Sequence, residues 1–289
     1  MKRILPAALL LISTLYNNVC HAQNISYEKS DSIKVTQLLS SAPRLAKTTS
    51  YMTYFGNKLA GTPYVASTLE KGDKEHLIIN LRELDCTTFT ENVLALSLCM
   101  KNGKKSFRDY ANYLRRIRYA GGQVAYDKRL HYFTSWIDNN SANGFVYEPQ
   151  QDSLPKNIYT ATQHLNVNYM SQHAGIYPRL AHDKAMVSKI RQTEKTLTGR
   201  TYKYIPKSKL NDHAALKRHI NTGDIIVILT RKQGLDTSHI GIASWHKDGT
   251  LHLLNASQIH KKVIDEPMTL YQYMQKHPSQ TGIRVIHVK

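Results

Sequence analysis

The sequence is poor in cysteine and in acidic side chains. Its 289 residues include three cysteines, and 21 aspartates and glutamates stand against 39 lysines and arginines, giving a formal charge of +18. Such a charge favours polyanionic partners: nucleic acid, anionic lipid or an acidic cell-wall polymer. The basic residues are scattered, however, and the sequence contains no DNA- or RNA-binding motif. We therefore expect no nucleic-acid partner.

A long apolar run is also missing. The apolar segment near the start, residues 4–15, is too short to span a bilayer as a helix. It follows Lys2 and Arg3 and precedes Cys20-His21-Ala22, which is the pattern of a cleaved export signal. We predict a signal peptide over residues 1–22 and a mature chain in the periplasm, without an integral membrane segment. The alternative is a lipid anchor on Cys20.

Two cysteines remain in the mature chain, and both fall in the apolar run of residues 84–100. The spacing of this run predicts a mostly buried helix with Asp85 as its N-cap and Cys86 in its first turn. Cys99 would lie roughly 20 Å further along the axis, too far away to form a disulfide. We therefore expect Cys99 in the core and Cys86 as a free thiol, whose pKa the helix amides and dipole can lower from ~8.5.

The periodicity changes from helical to extended along the chain. The apolar residues that follow Ser106, a good N-cap, repeat at helical spacing: Phe107, Tyr110, Leu114 and Ile117. Residues 146–210 are loop-rich with short helical pieces, and the last 70 residues read as strands separated by turns. Helices followed by an antiparallel sheet predict an α+β fold. No composition break occurs, so we expect a single domain over residues 23–289, with an insertion at about 105–210.

A hairpin near the end of the chain brings a histidine towards an asparagine. His239 opens a predicted strand, and residues 247–249 form a turn signal before the next strand. With a three-residue loop, His239 lies opposite Ser257, and Asn255 is its diagonal neighbour on the same face. A two-residue loop would put Asn255 on the other face. In the first case Asn255 could hold one ring nitrogen while the other faces Cys86, as a cysteine nucleophile requires.

Five short segments resemble the NlpC-type papain-like cell-wall cysteine hydrolases and occur in the same order. They are G-T-P-Y-V at 61–65, L-D-C-T-T-F at 84–89, T-G-D-I at 222–225, S-H-I-G-I at 238–242 and L-L-N-A-S at 253–257. The resemblance implies a papain-like fold with Cys86 as nucleophile, His239 as base and Asn255 orienting the imidazole. It also implies that Tyr64 lies beside the nucleophile, where its hydroxyl can bind the substrate or the oxyanion.

Four further segments resemble a narrower branch, the N-acetylmuramoyl-L-alanine amidase-like proteins, formerly a domain of unknown function. They are D-C-T-T-F-T-E at 85–91, R-I-R-Y-A-G-G at 116–122, R-L-H-Y-F-T-S-W-I at 129–137 and N-Y-M-S-Q-H at 168–173. The resemblance implies a hydrolase that cuts the amide between N-acetylmuramic acid, in its anhydro form, and L-alanine of muropeptides. His131 and Tyr132, and Ser238 beside the base, are candidate substrate contacts.

Two other functions stay open from the residues alone. One is an endopeptidase that cuts between D-glutamate and the diamino acid of stem peptides, and the other is a non-catalytic murein-binding module. We expect no cofactor and no metal, because the sequence has no H-E-x-x-H motif and no other compact ligand set. The expected partners are peptidoglycan fragments, and the expected state is a monomer.

Overall fold

The computed structural model describes residues 25–289. The predicted signal peptide of residues 1–22, including Cys20, and the expected start of the mature chain therefore lie outside the described residues. Within the described part the fold is α+β, as the sequence predicts, with helices packed on an antiparallel sheet. No helix of residues 25–289 is both long enough and apolar enough to cross a membrane.

The elements follow the predicted order, with helices mostly before strands. The helices are α1 (Lys29–Ser41), α2 (Thr48–Lys58), α3 (Cys86–Lys101), α4 (Phe107–Arg118), α5 (Phe133–Ala142), α6 (Tyr169–Gln172), α7 (Lys184–Leu197), α8 (His213–Leu216) and α9 (Leu270–Gln275). The strands are β1 (Ile25–Ser26), β2 (Leu77–Ile78), β3 (Val146–Tyr147), β4 (Ala161–His164), β5 (Thr201–Pro206), β6 (Ile225–Thr230), β7 (Thr237–Trp245), β8 (Leu251–Ser257), β9 (Lys262–Asp265) and β10 (Gln280–Val288).

An antiparallel sheet in the order β4-β5-β10-β6-β7-β8-β9 forms the centre of the fold. The strand β6 is apolar and buried along its whole length, because both of its faces are covered. Ile225, Val227 and Leu229 point into the core shared with α2 and α3, whereas Ile226 and Ile228 point into a second core on the opposite face. This period of two explains why a continuous apolar run forms a strand here.

The helix α3 packs against β7 and β8 and is enclosed on nearly all sides. Residues 88–99 of this helix are all buried. A helix that is apolar over most of its circumference belongs in a core, as the sequence of residues 84–100 predicts. Cys99 is fully buried and unpaired, and Cys86 is also a free thiol, so both expectations for the cysteines are confirmed.

The middle of the chain contains strands that the sequence did not predict. Residues 146–210 were expected to be loops with short helical pieces, but β3, β4 and β5 all join the central sheet. The strand β4 has the sequence A-T-Q-H and forms an edge, so it carries little of the apolar alternation that identifies a strand. Pairing with β5, rather than local propensity, makes it extended.

Candidate active site

Cys86 occupies the first turn of α3, as the sequence predicts. Asp85 is the N-cap: its Oδ1 accepts from the backbone N–H of Thr88 at 2.7 Å, and its own backbone N–H donates to Thr88 Oγ1 at 2.9 Å. This reciprocal pair fixes where the helix begins. It leaves the Cys86 side chain at the surface end of an otherwise buried helix, where it is partly exposed.

The surroundings of the Cys86 sulfur do not lower its pKa. Burial raises the pKa of the Cys86 thiol to about 12, with a further contribution from the Asp85 carboxylate. Hydrogen bonds from the Ile240 backbone and from Thr87 act in the opposite direction but are smaller. The lowered pKa expected from the helix start is therefore wrong for the site without substrate, because desolvation and Asp85 outweigh the helix amides. The resting group is a thiol.

The hairpin of β7 and β8 has the three-residue loop that the site requires. Its last pair is Trp245 and Leu251, and the backbone N–H of His246 still donates to the Thr250 carbonyl at 2.9 Å. Gly249 takes a positive φ of 81°, as the last position of such a loop favours. This register puts His239 and Asn255 diagonally across the same face, which confirms the conditional prediction.

His239 and Asn255 are joined directly. His239 Nε2 lies 2.9 Å from Asn255 Oδ1, and Asn255 is fully buried. The Asn255 amide nitrogen donates to the Leu253 carbonyl at 3.0 Å, which fixes the carboxamide with its oxygen towards the ring. His239 must therefore donate from Nε2, and Nδ1 keeps the free lone pair.

The remaining properties of His239 suit a base. Burial lowers its pKa below the usual value, so the ring is neutral at neutral pH. Ile240, the next residue along β7, contacts the Cys86 sulfur through its backbone. Within residues 25–289 no hydrogen bond joins the sulfur to the imidazole itself, and such contacts commonly tighten only when substrate binds.

Two features of β7 escaped the sequence analysis although both shape the site. The pairing of β6 with β7 shifts by one residue between His239 and Thr237, so Ser238 is the extra residue of a β-bulge. Ser238 is exposed, and its hydroxyl donates to the Ile228 carbonyl at 3.4 Å. Bulges re-aim neighbouring side chains, here His239. A bulge of this kind has no sequence signal that we could have read.

Gly241 provides the space for the contact between His239 and Asn255. A Cβ at this position would lie 3.0 Å from the Asn255 Cβ and 2.8 Å from the Leu253 side chain. The absence of a side chain thus lets the imidazole reach across the strand pair. The glycine inside the S-H-I-G-I segment was the available signal, since glycine in a strand marks a close approach.

Tyr64 lies beside the cysteine. Its backbone N–H donates to the Lys261 carbonyl at 2.9 Å, and it pairs with Leu84, two residues before Cys86. Burial, and to a smaller extent the neighbouring Cys86 and Asp85, raise the pKa of Tyr64 to about 12, so the hydroxyl stays protonated. Within residues 25–289 that hydroxyl makes no hydrogen bond, which leaves its proton available to a ligand.

Tyr273 is a neighbour of the site that the sequence did not reveal. Its ring centroid lies 6.3 Å from that of His239 and 4.4 Å from that of His277. Burial raises the pKa of Tyr273 to about 12, and the neighbouring Cys86 and Tyr64 contribute to this increase. The tyrosine therefore helps to enclose the imidazole from the side of α9.

A cleft of about 650 Å³ borders Asp85 and Thr87, on either side of Cys86. His131 is part of its wall, and its Nε2 donates to the Tyr126 carbonyl at 2.8 Å. Burial lowers the pKa of His131 to about 3, so the ring is neutral and its Nδ1 is an acceptor. Tyr169 and Tyr177 supply aromatic surface to the same cleft.

Tyr132 does not face this cleft. It is buried, and its hydroxyl donates to Glu194 Oε1 at 2.7 Å and accepts from the Met170 backbone N–H at 3.0 Å. Because its hydroxyl already donates one hydrogen bond and accepts another within the protein, Tyr132 is a packing residue rather than a substrate contact. It ties α5 to α6 and α7, which corrects the sequence interpretation.

The carboxylates of the cleft are already engaged. Glu91 pairs with Arg118 at 2.7 Å, Glu70 pairs with Arg129, and Asp85 caps α3. The described residues contain no group of three histidine, cysteine, aspartate or glutamate side chains that could hold a metal ion. The carboxylates that line this cleft are thus not free to act as an acid or a base.

Comparison with known proteins shows the family of the chain. The AmiA-like family, described as N-acetylmuramoyl-L-alanine amidase-like, matches residues 54–283. The chain belongs to this family. A comparison with curated proteins gives no match.

Three solved bacterial structures are similar to this protein over most of the chain. A crystal structure of an N-acetylmuramoyl-L-alanine amidase from Bacteroides uniformis is 38% identical, with a TM-score of 0.77 over 84% of this chain and 100% of that one. A Bacteroides fragilis protein with a provisional xylanase name is 40% identical, with a TM-score of 0.74 over 81% and 98%. A Legionella pneumophila protein, 21% identical with a TM-score of 0.68 over 90% and 94%, shares the fold.

Proposed function

We propose that this member of the amidase-like family is a cysteine-dependent N-acetylmuramoyl-L-alanine amidase. Cys86 is the nucleophile, His239 is the base and Asn255 is the residue that positions the base. The observation that carries the proposal is the fixed hydrogen bond from His239 Nε2 to Asn255 Oδ1 at 2.9 Å. It leaves Nδ1 as the base, on the strand whose next residue, Ile240, contacts the Cys86 sulfur.

The first half of the reaction forms a thioester. Because the thiol and the imidazole are both neutral at rest, His239 Nδ1 takes the Cys86 proton as the sulfur attacks the amide carbonyl. The backbone N–H of Cys86, at the start of α3, and the Tyr64 hydroxyl are donors for the oxyanion. The tetrahedral intermediate collapses when His239 gives its proton to the leaving amine of L-alanine.

The second half releases the sugar. Neutral His239 removes a proton from water, the hydroxide adds to the thioester carbonyl, and the sulfur leaves with the proton from His239. Asn255 keeps the proton on Nε2 throughout, because an amide oxygen can accept a hydrogen bond but cannot take up the proton. The cycle thus needs only groups that the chain itself supplies.

Two observations support the substrate that we propose. The name of the Bacteroides uniformis relative assigns it the amide between N-acetylmuramic acid and L-alanine. Tyrosines and the neutral His131 along the cleft suit a sugar, which presents both apolar faces and hydroxyls. We propose muropeptides, in the anhydro form, as substrates, and a papain-like arrangement of the NlpC type for the α3, β7 and β8 core.

The carboxylates argue against glycoside hydrolysis, the activity suggested by the Bacteroides fragilis name. Glycosidases need two carboxyl groups free to act as acid and as nucleophile or base. Glu91 and Glu70 are each held by an arginine, and Asp85 holds the end of α3.

Product masses test the proposal. A defined anhydro-muropeptide incubated with the protein should yield anhydro-N-acetylmuramic acid and a peptide that begins with L-alanine. A sugar that retains L-alanine and D-glutamate would instead indicate the endopeptidase, and unchanged substrate with measurable binding would indicate a murein-binding module. Xylo-oligosaccharides should remain intact in the same assay.

The setting of the reaction is part of the proposal. We propose that residues 1–22 direct export to the periplasm and that the mature chain acts there as a monomer on peptidoglycan fragments. N-terminal sequencing of the exported protein tests the cleavage site, which should lie just before Gln23. Light scattering of the purified protein tests the monomer.

A further inference from the structure

A second cleft, at the opposite end of α3 from Cys86, is lined by positive side chains. Its volume is about 500 Å³, and the cations that line it are Arg44, Lys47, Lys101 and Lys105. No acidic side chain is among its lining residues. We call these four residues the basic cleft. Such a concentration of one sign is unusual in a chain whose basic residues are scattered along the sequence.

The four cations of the basic cleft are unpaired and exposed. Within residues 25–289, none of their side chains takes part in an ion pair or a hydrogen bond. This differs from Arg118, Arg129 and Arg284, each of which is buried against a glutamate. The charge of the basic cleft is therefore not neutralised within the described chain and remains available to an external anion.

Neighbouring groups add to the positive potential. Lys104 is exposed in the loop between α3 and α4, between the two lysines of the cleft. Lys47 is also the N-cap of α2 and provides no side-chain hydrogen bond, so the positive end of that helix faces this region. Asp109, four residues after Lys105, accepts a hydrogen bond from the Ser106 hydroxyl at 2.6 Å. Lys104 and the start of α2 therefore add to the positive potential of the basic cleft.

An exposed aromatic ring lies against the first residue of α4, two residues after Lys105. Tyr27 is 49% exposed, and its ring centroid is 4.8 Å from that of Phe107, which follows the same loop. Leu45 and Met100 add apolar surface inside the cleft. Tyrosine next to lysine and arginine is the combination found where proteins rest on a bilayer, because the ring enters the headgroup layer while the cations meet phosphates.

We propose that the basic cleft, with Lys104 and Tyr27, binds the anionic phosphates of a phospholipid bilayer. The exposed ring of Tyr27, together with Leu45 and Met100 inside the cleft, gives the apolar surface that a bilayer takes up beside its phosphates, which is why we favour a membrane over a polyanion without an apolar layer. The cleft and Cys86 lie at opposite ends of α3, roughly 22 Å apart at ~1.5 Å per residue. Membrane contact at this end therefore leaves Cys86 accessible, and the proposal does not depend on the reaction assigned to that residue.

Vesicle co-sedimentation tests the proposal. The protein should bind equimolar phosphatidylglycerol and phosphatidylcholine vesicles at low salt, bind pure phosphatidylcholine weakly, and be released as the salt rises. Replacing Lys101 and Lys105 by glutamine should weaken partitioning roughly thirtyfold, because each cation near the surface contributes on its own. Replacing Lys184 and Lys195, exposed on α7, by glutamine makes the same charge change and should alter partitioning less than about twofold.

Two further arms identify the source of the anion. Tyr27→Ala should weaken binding to the anionic vesicles but not to purified murein sacculi, and sodium phosphate should release the protein no better than sodium chloride of equal ionic strength. Equal losses for the two lysine pairs would overturn the proposal in favour of diffuse charge. Tighter binding to sacculi than to vesicles, with no effect of Tyr27→Ala, would overturn it in favour of a wall polymer.

Discussion

At the scale of single residues, the orientation of the Asn255 carboxamide decides which nitrogen of His239 can act. The bond from Asn255 Nδ2 to the Leu253 carbonyl turns Oδ1 towards the ring, so Nε2 carries the proton. The sequence predicted that a histidine and an asparagine lie close together, provided that the hairpin loop has three residues. The sequence could not predict the tautomer of His239, because the tautomer depends on the backbone carbonyl of Leu253, which orients the Asn255 carboxamide.

The lowered pKa of His239 predicts the acid limb of the reaction. Burial disfavours the imidazolium, so the base stays neutral below the usual histidine pKa of ~6.5. The value of kcat/KM should therefore stay constant as the pH falls through 6.5 and should decline only in more acidic solution. A profile of kcat/KM against pH measures this, and half-maximal activity at or above pH 6.5 would contradict a buried neutral base.

Substitution of Gly241 tests the geometry of the same pair. A Cβ there would crowd Asn255 and Leu253, so Gly241→Ala should push the imidazole and carboxamide apart. We expect kcat/KM to fall roughly ten- to hundredfold, the usual cost of a small misplacement of catalytic groups. The control is Gly175→Ala, where the added carbon would meet open space. Equal activity of the two variants would show that Gly241 has no such role.

At the scale of elements, the start of α3 has two opposing effects on Cys86. The capping pair of Asp85 and Thr88 fixes the helix and the sulfur, but the Asp85 carboxylate also raises the thiol pKa. The sequence reveals the helix dipole, which lowers the pKa of Cys86, but it does not reveal how deeply the sulfur is buried, which raises that pKa. That omission is why the pKa prediction failed although the position of Cys86 in the first turn was correct.

Removing the cap separates these effects. Asp85→Ala should cost about 1 kcal/mol of unfolding free energy, while the loss of its charge lowers the Cys86 pKa and speeds alkylation by iodoacetamide at neutral pH. Ser106 caps α4 in the same way, so Ser106→Ala should cost a similar free energy without changing the alkylation rate. Equal acceleration in both variants would point to general loosening instead.

Some of the strands could be predicted from the sequence, and others could not. The β7–β8 hairpin was predictable because K-D-G marks its turn and apolar residues flank it. The strand β4 was not, because its A-T-Q-H sequence becomes extended only through pairing with β5. The bulge at Ser238 was equally hidden, since a one-residue shift between β6 and β7 leaves no pattern in either strand.

At the scale of the whole molecule, the inserted region is tied to the rest through buried polar groups. Tyr132, the N-cap residue of α5, donates to Glu194 on α7, and that carboxylate also accepts from the Ser171 backbone. The sequence assigned Tyr132 to the substrate because it lies in a family segment. The structure instead gives it a role in holding α5, α6 and α7 together.

Tyr132→Phe tests whether residues 23–289 unfold as one domain. Losing the hydroxyl leaves Glu194 and the Met170 N–H short of a partner, which should cost about 1–3 kcal/mol. If the insertion and the sheet form one cooperative unit, calorimetry should show a single transition that shifts to lower temperature as a whole. Two resolved transitions, with only one of them shifted, would contradict the single-domain prediction.

The central claim is that Cys86 performs the reaction, and comparing the two cysteines of α3 tests it most directly. In muropeptide digests followed by mass spectrometry, Cys86→Ser should lower kcat/KM on the order of a thousandfold or more, because a serine hydroxyl is far harder to deprotonate in this site. Cys99→Ser, buried at the other end of the helix, should keep the activity of the folded protein. Undiminished turnover by the Cys86→Ser protein, or equal losses in both variants, would contradict the account.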